Sequence, residues 1–85
     1  MAIKKRPTRG ERKLILKWKD KREQCFKDNP PPHDSYYQLS TDTFNLGQKL
    51  ILQLARGRMT YAEFAEKRDD IKRSSVAKAE ALHTK

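Results

Sequence analysis

Cysteine, histidine, glycine and long apolar runs are all scarce in this sequence, and each shortage closes off a class of protein. Cys25 is the sole cysteine among 85 residues, so no internal disulfide can staple the chain, and a reducing compartment suits it. The two histidines, His33 and His83, are distant from Cys25 and from each other. They lack the paired spacing of metal ligands, so neither a metal nor any other cofactor is expected. No apolar run exceeds three residues, far short of the roughly 20 that span a bilayer. The first residues, Met1-Ala2-Ile3-Lys4-Lys5-Arg6, are charged where a secretory leader turns apolar. A soluble cytoplasmic protein with no membrane span is the expectation.

The chemistry of catalysis is missing as well. The sequence holds no glycine-rich phosphate loop, no nucleophile elbow and no His-Glu-x-x-His. Its acid pairs, Asp69-Asp70 and Glu63/Glu66, lie among Lys67, Arg68, Lys72 and Arg73, where solvated ion pairs on a helix face account for them. A chain this short buries only about 60% of its unfolded surface, which leaves little room for a substrate cleft beside a core. The reading is therefore a binding protein and not an enzyme. Its thin core favours a stabilising partner or a homodimer.

What the chain has in abundance is positive charge. The formal net charge is +9, and it is concentrated. Residues 1–27 hold eleven Lys or Arg against three acids, residues 28–57 two against three, and residues 58–85 seven against five. Such asymmetry points to a local footprint for a polyanion, although a basic segment can also serve solubility alone.

Residues 1–8 read as a flexible basic arm. Thr8 and Glu11 then form a Thr-x-x-Glu capping box, and a first helix is predicted over about 9–28. At 100° per residue, Leu14, Ile15, Trp18, Cys25 and Phe26 fall within a sector of about 120°, an apolar stripe for a core. The remaining surface is mostly cationic, with Leu16 exposed among the charges. Asn29-Pro30-Pro31-Pro32 stops this helix and opens an extended connection, with Tyr36 and Tyr37 packing back on the helices. A second helix is predicted over about 41–56, with Phe44, Gly47, Leu50, Ile51 and Leu54 on its apolar face. Gly47 there permits a close crossing, and Gly57 suits a C-terminal cap. Thr60-Tyr61-Ala62-Glu63 is a second capping box, stapled by Met59 and Phe64, and starts a third helix over about 61–74. Residues 76–85 read as a frayed or helical tail.

Two helices joined by so short a turn form a hairpin. The expected fold is thus all-α, a small three-helix domain in which the basic first helix packs on the hairpin through a proline-rich connection. The stretch from Leu50 through Gly57, Met59-Thr60, Glu63-Phe64 and Lys67 to Ile71 resembles the SHOCT family of short helical hairpins. That resemblance covers residues 50–71 and implies a small appended hairpin that supports association.

Lys5, Arg9, Lys13, Lys17 and Lys21 recur every fourth residue, which in an isolated helix costs about 0.2–0.5 kcal/mol per like-charged pair. A polyanion relieves that repulsion. From Arg9 to Lys21 the helix rises roughly 18 Å, enough to follow several phosphates. The leading expectation is a nucleic-acid-associated protein, for DNA or RNA, that grips phosphates with Lys4, Lys5, Arg6, Arg9, Arg12, Lys13, Lys17 and Lys21. The alternative is an adaptor or inhibitor of the phage or mobile-element type, docking the same basic helix on an acidic protein. A third reading, an amphipathic helix at a membrane surface or in calmodulin, competes with the core for the Trp18 stripe and ranks last.

Overall fold

A computed structural model describes residues 4–83, which form three helices in the order α1 (Arg9–Asp28), α2 (Tyr37–Ala55) and α3 (Tyr61–His83). The protein is all-α, as the periodicity requires. α2 is the middle of the arrangement, with α1 along one side and α3 along the other. The outer helices meet only through long side chains and the segment before α1. The molecule measures 45 × 27 × 18 Å with a radius of gyration of 14.5 Å, longer than the roughly 12 Å of a compact chain this size.

Each helix end has a local cause. Thr8 accepts a hydrogen bond from the Glu11 N–H at 3.2 Å, and the Glu11 carboxylate accepts one from the Thr8 N–H at 2.8 Å. Thr60 and Glu63 make the same reciprocal pair at 3.1 and 3.2 Å. Between α2 and α3 the Arg58 N–H donates to the Gln53 carbonyl at 3.1 Å and the Gly57 N–H to that of Leu54 at 2.9 Å. This is a Schellman ending, and it requires the left-handed φ of +70° found at Gly57. A methyl at Gly57 would meet only the Arg12 side chain, at an ordinary 3.7 Å, so its cost is conformational. Gly57→Ala is expected to destabilise the fold by about 1–2 kcal/mol. A thermal melt followed by circular dichroism should show a fall of at least about 4 °C.

Two boundaries differ from the expected ones. α2 starts at Tyr37, four residues before the expected 41, because Asp34 ends the proline segment with a turn. Its carboxylate accepts the Tyr36 N–H at 2.8 Å and its carbonyl the Tyr37 N–H at 3.1 Å. α3 continues past 74 to His83. Ile71, Ser75, Ala79 and Leu82 are each partly buried at spacings of four, four and three. The Ser75 hydroxyl is hydrogen-bonded to that of Thr43 on α2 at 2.7 Å. A contact face built from serine and alanine escapes a hydrophobicity reading.

The core is small and sits at one end. Leu50, Ile51, Leu54, Ala55, Met59 and Phe64 are buried around the α2–α3 turn, with Ile15, Tyr61 and Ile71 packed against them. The stapled pair Met59 and Phe64 belongs to this cluster. The opposite end, where α1 finishes and α2 begins, holds a stacked Phe26–Phe44 pair at 4.1 Å. It also holds an open apolar groove of about 640 Å³ lined by Phe26, Tyr36, Leu39, Phe44, Val76 and Ala79.

Candidate nucleic-acid interface

The orientation of α1 decides which of its residues face a partner, and it departs from the expected one. No residue of α1 is fully buried. The partly buried positions are Glu11, Ile15, Lys19, Arg22 and Phe26, which recur at helical spacing and define the contact face. Leu14 is 64% exposed and Trp18 42% exposed, and Cys25 is exposed. The helix is thus rolled by roughly 50° from the angle that would bury the Leu14–Trp18–Cys25 stripe.

Polar and cationic side chains cause this roll. Arg12 donates from Nε to the Ala55 carbonyl at 2.8 Å, which satisfies an otherwise unpaired acceptor in the last turn of α2 and places positive charge at that helix's negative end. Buried Gln48 donates from Nε2 to the Lys19 carbonyl at 3.0 Å. The Arg22 guanidinium lies over Phe44 at 5.4 Å and Trp18 at 5.8 Å from the ring centroids. It also comes within 3.2 Å of where a side chain on Gly47 would begin. The small residue at 47 therefore admits a guanidinium. Planar, weakly hydrated arginine packs in this way where lysine does not.

With α1 so placed, Arg9, Lys13, Lys17 and Lys21 lie along its outward side and are all exposed. Lys4, Lys5 and Arg6 are exposed at the same end of the molecule. Of the eight cations expected to form the footprint, Arg12 differs from the rest, because its Nε is committed to Ala55. The one ion pair among the described residues joins Arg73 to Asp70 on α3 at 4.0 Å, so the strip on α1 faces solvent with no bound carboxylate.

The segment before α1 is anchored over the residues described. The Lys5 carbonyl accepts the Tyr61 N–H at 2.9 Å, which satisfies a free donor in the first turn of α3, and Pro7 is buried. Residues 4–8 are therefore not the free arm that their composition suggests. Residues 1–3 of that arm, like 84 and 85 of the expected tail, lie outside the described residues.

Glu11 ties this anchor together. Its carboxyl is held below the ordinary value of 4.5, chiefly by the hydrogen bond from the Thr8 N–H. The Thr8 and Tyr61 side chains and the charge of Lys5 contribute further, while partial desolvation opposes them. Burial pushes the Tyr61 hydroxyl above its usual range, helped by the negative charge of Glu11 and a hydrogen bond to it. A carboxyl with a depressed pKa in the folded state stabilises the fold fully above its unfolded value, and that contribution disappears as pH falls through the folded value. Acidification below 4.5 is thus expected to loosen the Thr8–Glu11 end of α1. Glu11→Gln should flatten the acid limb of a stability-versus-pH curve measured by urea unfolding, and an unchanged limb would count against this anchor.

The tyrosines are occupied elsewhere. Tyr37 stacks on His33 at 4.3 Å, and Tyr36 lines the apolar groove. Among the described residues no three His, Cys, Asp or Glu groups converge as metal ligands, and no helix is long and apolar enough to cross a membrane. Compared with protein families, with curated proteins and with solved structures, the chain matches none of them. The two residues that the one-dimensional reading misplaced are Trp18, taken for core, and Arg22, taken for outer strip. The available signal was the Ile15–Arg22–Phe26 spacing, visible only if an arginine is admitted to a contact face.

Proposed function

We propose that this chain is a small, non-enzymatic nucleic-acid-binding protein of the cytoplasm, gripping backbone phosphates with the outward side of α1. The observation that carries this reading is the row of Arg9, Lys13, Lys17 and Lys21, exposed and without carboxylate partners among the described residues. Lys4, Lys5 and Arg6 extend the row at its N-terminal end, where the hydrogen bond to Lys5 restrains the backbone. Restraint lowers the entropy that a polyanion contact must otherwise overcome. Two copies, associating through the SHOCT-like hairpin, would double the row along one polymer.

One observation favours a second reading. Leu14 and Leu16 are 64% and 42% exposed beside the cations, as suits docking on an acidic protein with apolar contacts. Fluorescence anisotropy with labelled oligonucleotides across a salt series separates the two. Phosphate gripping requires affinity for many sequences and a steep fall with salt. Absence of binding at low salt would reject it in favour of an acidic protein partner.

A further inference from the structure

We infer that the polymer is single-stranded and that Trp18 is a stacking platform for one of its unpaired bases. This rests on the phosphate-gripping reading above. Trp18 keeps 42% of its surface in solvent although it belongs to a helix that packs on α2. Its ring stands nearly perpendicular to Phe64 of α3, at 73° and 6.3 Å between centroids, with the Arg22 guanidinium over it at 5.8 Å. These contacts fix the ring as a platform supported from below, with no freedom to swing out as a wedge between paired bases.

The surroundings of the ring carry the rest. Arg22 is partly buried, stacked against Trp18 and Phe44, and has no hydrogen-bond acceptor or ion-pair partner among the described residues. A guanidinium carries five N–H donors, so it offers a prepositioned seat for a phosphate. On the facing helix Arg68 is exposed and lies over Phe64 at 5.9 Å. An unbroken ladder of rings and guanidinium planes thus runs from Arg68 through Phe64, Trp18 and Arg22 to Phe44. Lys21 is one helical turn beyond Trp18 and Lys17 is its neighbour in sequence. Cations that follow a backbone beside an aromatic face are the combination by which single strands are held without sequence preference. In a duplex both faces of every base are already stacked, so this ring has nothing to take.

The test uses the full chain and its single tryptophan, Trp18, whose emission reports on the ring directly. Unlabelled single-stranded deoxy- and ribo-oligonucleotides, the matching duplex, and inorganic polyphosphate are titrated at one salt concentration. Emission should be quenched by the single strands and left unchanged by duplex and polyphosphate, with the stronger of the DNA and RNA responses naming the polymer. Trp18→Leu, checked for retained helicity, should weaken single-strand binding by about tenfold and leave polyphosphate binding unaltered. Single-strand binding with unchanged emission and no loss in Trp18→Leu would overturn the stacking platform while leaving phosphate gripping intact. Failure to bind any of the polymers would overturn both.

Discussion

With Lys13, Lys17 and Lys21 changed together to glutamate, the protein is expected to lose affinity for nucleic acid by on the order of a hundredfold or more at low salt. The three substitutions lower the formal net charge by six, from +9 to +3, and replace three phosphate contacts with three repulsions. If Arg9, Lys13, Lys17 and Lys21 hold one phosphate each, wild-type affinity for a single strand should fall roughly fiftyfold between 50 and 200 mM salt. The variant should retain little of that dependence, since each lost contact removes about one unit of slope. All three positions are exposed and none takes part in a hydrogen bond or ion pair among the described residues. Repulsion along the row survives with its sign reversed, so the helix is neither relieved nor further burdened. Helicity and melting temperature should therefore hold while anisotropy collapses. Wild-type binding that persists in the folded variant would remove the outward side of α1 from consideration as the interface.

Ile51→Ala should have the largest effect on the fold. Ile51 is 1% exposed in the middle of α2, the helix against which both others pack, and no neighbouring element can collapse into the space without separating from another. Such truncations cost about 2–5 kcal/mol. A chain of this length holds a total stability of about 4–13 kcal/mol, and a core confined to one end places this protein toward the low side. Urea unfolding followed at 222 nm should show a midpoint shifted far down, or a chain already largely unfolded in buffer. The informative contrast is Leu14→Ala. A stripe chosen by hydrophobicity alone would put Leu14 in the core, whereas at 64% exposure its removal should change stability by no more than about 0.5 kcal/mol. Equal losses in the two variants would mean that α1 is rolled the other way.

That contrast also marks how far the fold could be read from residues. Capping boxes, the Met59–Phe64 staple and Gly57 are local devices whose partners are three to five residues apart, so the ends of the α2–α3 turn follow from spacing. The Leu50–Ile51–Leu54 stripe on α2 was equally legible, because nothing but aliphatic side chains compete for it. α1 was not, because its contact face includes Glu11, Lys19 and Arg22, and the choice between that face and the Leu14–Trp18 stripe is made by Ala55, Phe44, Gln48 and Gly47 on another helix. The start of α2 depended on what Asp34 does with its carboxylate, and the length of α3 on a hydroxyl pair 32 residues apart. The cationic row itself was plain in the sequence. The Arg22–Trp18 stack is a tertiary product, and the part of the candidate site that distinguishes single strands from other polyanions depends on it.

The one-ended core carries a mechanical meaning for that site. Opening free energies follow the density of buried contacts, so the amide protons around Ile51, Leu54 and Phe64 belong to the last unit to open. The groove end is held by a ring stack and a hydroxyl pair, and it opens first. The cationic row crosses from one regime to the other. Arg9 and Lys13 ride on the stiff end beside the Arg12–Ala55 tie, and Lys21 stands toward the yielding one. A polymer would meet a fixed grip at its first phosphates and a compliant one at its last, so the protein can follow the changing curvature of a strand without breaking its own core.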